Sequence, residues 1–413
     1  MITPKDTKYD FLMVGAGLSN AVIAHQLAQS GYRVLVIDKR NAIGGNCHTS
    51  EVNGITVHDY GAHIFHTDNE EVWKFANKFD NFVPFQNSPI ARAKLPDELK
   101  VKMFAKDHAP EYIYLNLPFN MNTFSKIWPE QTPESIRNMF KSTVDCFNPN
   151  KHPLPTYENL EEKAIGMVGR VVYDLLVKGY TEKQWGKPCT ELPAEGIINR
   201  LPVRFNWNNN YFNDKYQGIP EHGYTKWIEN MLNDEWHHVD VWLGTDFADV
   251  RADLDKLARW VFYSGSIDEL FDYKYGRLPY RSLRFSTKVI GNCGDAQGVA
   301  VMNYTTDDVP YTRTIEHKYF CPWKPTPTDT TIVTTEYPAD MKPGMEPYYP
   351  MNDPEAINLY QKYLFETSSC FTMTGRLGLY RYMDMDDCIA ESLRKADDFI
   401  KFWQGRNINY VGV

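Results

Sequence analysis

The feature that most restricts what this chain can fold into lies near its start. Tyr9-Asp10-Phe11-Leu12-Met13-Val14 leads into Gly15-Ala16-Gly17, Leu18 to Ser30 is amphipathic, and Val34-Leu35-Val36-Ile37 ends on Asp38. That order reads as strand, glycine turn, helix, strand. Such a turn lets backbone N–H groups and the positive N-terminus of the helix approach a pyrophosphate, and a carboxylate about 20 residues on can bind ribose hydroxyls. Gly15, Gly17 and Asp38 fit these roles. The sixth position of G-x-G-x-x-G is Asn20, with small Ala21 beside it, so the fingerprint is imperfect. An ordinary βαβ unit whose glycines merely turn the chain is the competing reading.

At 413 residues the chain exceeds the usual size of one core, which predicts two or three packed subdomains. Forty-four Lys and Arg against 53 Asp and Glu give a net charge of -9, which argues against nucleic-acid binding, since that affinity comes from a basic surface. An anionic ligand must then be held by a local arginine cluster. No apolar run approaches the roughly 20 residues of a membrane span. The polar opening Met1 to Lys8, followed by a short run closing on glycines, reads as a strand and not a signal peptide, so a cytoplasmic location is expected. Seven cysteines scattered singly suggest reduced thiols, with neither a metal site nor a disulfide framework.

Along the chain, the pattern predicts a helical insert from about Asn87 to Lys178, broken at Pro118, Pro129, Pro133 and the segment Asn148 to Pro155. From Leu201, β-prone runs recur at Pro202 to Trp207, Tyr280 to Val289, Val299 to Tyr304 and Thr330 to Thr335, which predicts an antiparallel sheet. Trp260 to Gly265 looks like a buried strand returning to the first domain, and Phe371 to Gly375 leads into a final helix near Asp387 to Trp403. The expected fold is α/β: a discontinuous Rossmann-type dinucleotide-binding domain (1–86, 236–275 and 366–413), an inserted helical domain (87–190) and an antiparallel sheet domain (191–235 and 276–365).

Lys39-Arg40-Asn41-Ala42-Ile43-Gly44-Gly45-Asn46, just after Asp38, resembles the second fingerprint of amine-oxidase-like FAD proteins. Longer motifs then follow in order: Tyr60 to Thr67 (YGAHIFHT), Asn116 to Phe124 (NLPFNMNTF), Lys178 to Gly186 (KGYTEKQWG), Val309 to Arg313, Glu346 to Pro350 and Gly375 to Leu377. Together they resemble the UDP-galactopyranose mutase family through nearly the whole chain. The resemblance implies interconversion of pyranose and furanose forms of galactose on UDP, with no net redox. Reduced FAD is the implied nucleophile at the anomeric carbon, acting through a flavin-sugar iminium.

The resemblance also assigns residues. Arg200, on a mobile lid, and Arg313 would take the diphosphate, with Tyr349 and Tyr382 as phosphate-binding tyrosines and Tyr211 and Asn303 as further substrate contacts. Trp185 and Thr181, with Asn87 nearby, would form the uridine pocket, and His66 would tune the reduced flavin. Ser19, Gly45 and Asn46 fall near the pyrophosphate, His63 and Ile64 against the cofactor, Asp246 and Phe247 near adenine, and Arg376 with Asp384 near the isoalloxazine. A homodimer or higher homo-oligomer is implied, with no membrane insertion. For each aromatic residue the plainer reading is packing, and for each arginine a solvated surface charge.

Three features depart from the family pattern. The segment Ala91 to Tyr112 is longer, Ser266 stands where a proline is expected, and Met383 replaces an aromatic beside Tyr382. The competing functions are a mutase for a related nucleotide sugar, such as UDP-N-acetylgalactosamine or a deoxyhexose, an FAD-dependent oxidoreductase of the same fold, and a noncatalytic nucleotide-sugar-binding protein.

Overall fold

The computed structural model describes residues 7–103, 109–147, 156–195, 198, 201–233, 238–367 and 369–405. Phe11–Val14 is the middle of a five-stranded, wholly parallel sheet in the order Val239–Leu243, Val34–Asp38, Phe11–Val14, Trp260–Tyr263, Phe371–Met373. A parallel sheet covered on both faces demands continuous apolar strands, and all four side chains of Trp260–Tyr263 are buried, as expected from the sequence. The sheet thus draws on three separated stretches of chain.

Helix Leu18–Gln29 packs on one face of this sheet against the final helix Met385–Trp403. The first of these is less amphipathic than its sequence suggested: every residue from Leu18 to Ala24 is buried, because the second helix covers the side that would otherwise face water. Phe11 seals the layer, its ring 5.2 Å from Phe399 and 5.1 Å from Trp403 in edge-on contacts.

A second, seven-stranded sheet runs Pro347–Pro350, Tyr280–Gly291, Thr330–Asp340, Arg313–Glu316, Val301–Tyr304, Ile90–Lys94, Tyr112–Asn116. Its pairs are antiparallel except Val301–Tyr304 with Ile90–Lys94, which is parallel. Two strands therefore come from the stretch expected to be helical. The reason is period-2 burial: Ala91, Ala93, Ile113 and Leu115 face the core while Arg92 and Tyr114 face outward.

Two further corrections concern residues 191–235. Pro202 to Trp207 forms no strand, only an isolated bridge between Val203 and Phe119. Asparagines override its β propensity: Asn206 Oδ1 accepts from Asn208 N–H at 3.1 Å and Asn208 Oδ1 from Asn210 N–H at 2.9 Å, successive turns that curl the backbone. Tyr216–Pro220 does form a strand, but it pairs with Phe65–Thr67 and Phe82–Pro84 in a separate three-stranded sheet.

Four further helices, Met121–Ile127, Pro133–Phe147, Leu160–Val172 and Gly179–Trp185, enclose their own core around Phe124, Phe140, Val168 and Tyr173. Asn120 and Asn159 cap two of them, accepting from Asn122 N–H at 2.9 Å and Glu162 N–H at 3.0 Å. Among the described residues no helix is long and apolar enough to cross a membrane.

Candidate active site

The carboxyl ends of the five parallel strands open on one cleft of about 550 Å³. Each strand delivers a lining segment just past its end: Asp246 and Phe247, then Asp38, then Gly15 and Gly17, then Ser264, then Arg376. Gly15 has φ +101°, and a Cβ there would collide with Ser264 Oγ. A Cβ on Gly45 would lie 3.1 Å from Gly17 Cα, so the two glycine segments meet backbone to backbone. Gly17 caps the first helix with no side chain over its free N–H groups, which leaves them available to an anion. Asp38 closes the cradle, its carboxylate accepting from Ala16 N–H and Arg40 N–H, each at 2.8 Å. Ser19, Asn46 and His63 also line the cleft. A crevice this long, with a side-chain-free cradle at a helix N-terminus, fits a dinucleotide.

Asn20, where the fingerprint expects glycine, is fully buried and holds that corner together. Its Nδ2 donates to Val14 O at 2.8 Å and Gly15 O at 3.0 Å, while its Oδ1 accepts from Thr374 Oγ1 at 2.7 Å. The close packing that glycine normally permits is replaced by hydrogen bonds. The amide in an otherwise glycine position was the available signal.

Beyond the cleft runs a ladder of rings. The Arg376 guanidinium sits 4.5 Å over the Tyr382 ring. Tyr382 stacks on Tyr349 at 5.8 Å, nearly parallel, and Tyr349 meets Trp185 at 6.2 Å. Residues far apart in sequence thus form one line from cofactor cleft to the helix Gly179–Trp185, where Thr181 is buried. Beside the ladder, Arg313 Nε donates to Glu336 Oε2 at 2.8 Å, in register with Glu336 on one neighbouring strand and Asn303 on the other. The motif segment at Gly61 runs against this ion pair, a Cβ there lying 3.4 Å from Glu336 Oε2 and 3.6 Å from Arg313 Nη2. Glu336, a buried carboxylate just past the β-prone run Thr330 to Thr335, was not singled out from sequence.

The other expected residues are placed as follows. Tyr211 N–H donates to Asn87 O at 2.7 Å, and Phe212 beside it stacks at 3.8 Å on His66, whose Nδ1 lies 3.2 Å from Asp214 Oδ2. The Ile64 side chain packs in the main hydrophobic core. Asp384 caps the final helix in a reciprocal pair with Asp387. Arg200 lies outside the described residues. At the points of departure, Met383 lines the cleft and its carbonyl accepts from Arg376 Nη2 at 2.6 Å, and Ser266 hydrogen-bonds Asp268 and, at 3.2 Å, Tyr280 Oη.

The electrostatics are sharply set. Burial, then the Arg376 charge, pull the His63 pKa down to about 4. Its Nδ1 is 2.7 Å from Gly61 O, which only accepts, so Nδ1 carries the proton and Nε2 is left as an acceptor. Burial opposes the Arg313 charge, yet the Glu336 carboxylate outweighs it and holds the pKa above the ordinary value. Burial, reinforced by Glu336, raises the Tyr349 hydroxyl, which therefore stays a donor. Burial pushes the cleft thiols up, Cys47 to about 12 and Cys388 to about 11, which keeps them protonated near neutral pH.

Parallel sheet, glycine cradle and Asp38 define a Rossmann-type dinucleotide-binding protein, and a family model described as an NAD(P)-binding Rossmann-like domain matches residues 13–79. The family model for UDP-galactopyranose mutase matches residues 175–382. The chain is 39% identical to a probable UDP-galactopyranose mutase of Klebsiella pneumoniae, covering 95% of this chain and 94% of that one. It is 38% identical to a dTDP-fucopyranose mutase of Escherichia coli, with 94% and 98% covered. A crystal structure of reduced UDP-galactopyranose mutase superposes with a TM-score of 0.66 at 14% identity, covering 96% of both chains. The chain belongs to the UDP-galactopyranose mutase family, and it is an isomerase of the mutase type.

Proposed function

We propose that this enzyme interconverts UDP-galactopyranose and UDP-galactofuranose, with FAD in the glycine-cradled cleft and active in its reduced form. The observation that carries this reading is the ladder Trp185–Tyr349–Tyr382–Arg376, which puts a base-sized aromatic surface, phenol donors and a cofactor-side guanidinium in one line. Reduced flavin, when bound, supplies an electron-rich ring nitrogen to the anomeric carbon with no net electron transfer.

The chain's own groups do the rest by charge and position. Trp185 and Thr181 hold the uridine, with Asn87 beside them. Arg313, kept charged by Glu336, meets the diphosphate as it departs, when its negative charge is greatest. Arg200 is the second diphosphate arginine by resemblance. Tyr349 and Tyr382 donate to phosphate oxygens, and Tyr211 and Asn303 bear on the sugar side. His63 offers a neutral acceptor towards the cofactor, while Arg376 favours an anionic reduced ring and His66 tunes it.

A related reading is favoured by one finding, the equally similar dTDP-fucopyranose mutase: the sugar is a 6-deoxyhexose on dTDP. Incubating dithionite-reduced protein with UDP-galactopyranose and dTDP-fucopyranose, then analysing for furanose products, decides between them. The expected product is UDP-galactofuranose. Furanose from dTDP-fucose alone selects the second reading, and a requirement for a stoichiometric electron acceptor sinks both in favour of an oxidoreductase.

A further inference from the structure

Lys183 lies on the helix Gly179–Trp185, two residues before Trp185, and its side chain leaves that helix for another element. Its Nζ donates to four main-chain carbonyls: Thr306 at 2.7 Å, Tyr304 at 2.9 Å, Tyr311 at 3.0 Å and Val309 at 3.2 Å. Tyr304 ends the strand of Asn303, and the other three belong to the loop that joins it to the strand of Arg313. An ammonium has three N–H donors, so the loop wraps the cation and shares it among its carbonyl dipoles. The loop's own Asp308 is engaged elsewhere, 3.3 Å from Arg92 Nη1 and accepting from Thr306 Oγ1 at 2.6 Å.

Other contacts tie this helix and this loop to each other and to their neighbours. Thr305 Oγ1 donates to Leu175 O at 2.7 Å. Gly179 sits so close that a Cβ would lie 2.5 Å from Thr305 O. At the far end of the helix, Arg281 Nε donates to Gln184 O at 2.9 Å and its Nη2 to Lys183 O at 3.2 Å. The helix is thereby fixed against the seven-stranded sheet at its start, its middle and its end.

We infer that Lys183 is a positioning residue: by locking the helix of Thr181 and Trp185 to the loop ahead of Arg313, it sets the spacing between the base subsite and the diphosphate subsite. The inference rests on the function proposed above. A ligand that bridges two subsites gains from both only when their separation is fixed beforehand; otherwise the second contact is made at a lower effective concentration. Ligands occupying one subsite are indifferent to that spacing.

The test uses the reduced, dinucleotide-loaded full chain and compares UDP with uridine and with inorganic pyrophosphate. Lys183→Met keeps the apolar stem and removes the donors. It is expected to weaken UDP about tenfold, with uridine and pyrophosphate each changed less than about twofold. Turnover should show the loss in KM, with kcat largely kept. Equal losses for all three ligands, or no loss for any, overturn the inference. Should Lys183→Met fail to fold, Thr305→Val, which loosens the same loop and leaves the ammonium in place, must show the same selective loss of UDP at about two- to threefold, and an unchanged ratio of UDP to uridine affinity overturns it instead. Failure of the unaltered protein to bind UDP at all defeats the functional reading itself, and the inference with it.

Discussion

The two halves of the site are built from different materials. The cofactor cleft is made mostly of backbone: glycines, a helix N-terminus and strand ends, positioned by a core whose central strands are buried except at Val14, which lines the cleft. The proposed substrate side is made of side chains from distant segments, Trp185, Arg313, Tyr349 and Tyr382, aligned by stacking and an ion pair. Backbone surfaces tolerate changed side chains, as Asn20 demonstrates by standing in for glycine. Side-chain surfaces fail at single atoms.

The contrast breaks most sharply at Arg313. Its guanidinium partners Glu336, which is 1% exposed, so Arg313→Ala leaves a buried carboxylate unpaired. It should cost roughly 3 to 5 kcal/mol in stability and abolish measurable turnover. Adding Glu336→Gln should restore much of the unfolding temperature without restoring turnover. If stability stays low in the double variant, the ion pair is not the origin of the loss.

Arg200→Ala should lower kcat by about 100-fold, the scale of losing one donor to developing charge, and weaken ground-state binding less. Weakened binding with unchanged turnover would contradict its role at the departing diphosphate.

Acid sharpens the comparison from the other side. His63, half-buried at the cleft, and His317, fully buried, are neutral, their pKa values lowered chiefly by desolvation to about 4 and about 3. The unfolded chain takes up protons on these rings near pH 6.5, and the folded chain does so only well below that. Stability is therefore full above about pH 6.5 and is lost as pH falls from there towards about 4. Each ring contributes up to roughly 3 kcal/mol. Urea unfolding at pH 7, 5.5 and 4.5 reads this directly, and His317→Gln should flatten the slope by about one proton. An unchanged slope would mean the ring is protonated equally in both states.

The smallest effect is expected at Trp185. Trp185→Ala should weaken UDP by roughly 1 to 3 kcal/mol, a base-stacking loss, and leave flavin occupancy, read from its absorbance, intact. Loss of flavin would show that the two halves are not separable.

This division of labour also explains what could be read beforehand. The glycine turn, Trp260–Tyr263, the final helix and the strands near 280, 301 and 330 follow from local patterns, since buried parallel strands and glycine turns are written in consecutive residues. Ile90–Lys94 and Tyr112–Asn116 were not, because each is five residues long with charged or aromatic side chains on its outer face. Pro202 to Trp207 misled because side-chain amides compete with strand pairing. At the site, the motif residues Arg376, Tyr382, Tyr349 and Trp185 do lie in one line. Asn20 was visible as a departure from the fingerprint but its bond to Thr374 was not, and Lys183 and Glu336 escaped notice because their partners, residues 304–311 and Arg313, are remote in sequence.

The parallel sheet carries a consequence for biosynthesis. Its last strand is Phe371–Met373, the helix over its first crossover is Met385–Trp403, and Asn20 is tied to Thr374. A chain still emerging from the ribosome has made its glycine turn early, yet it lacks the cover for it until Phe371 to Trp403 have been added. The dinucleotide cleft is therefore completed only then, and a chain stalled before Phe371 would present a naked apolar sheet face to chaperones and proteases.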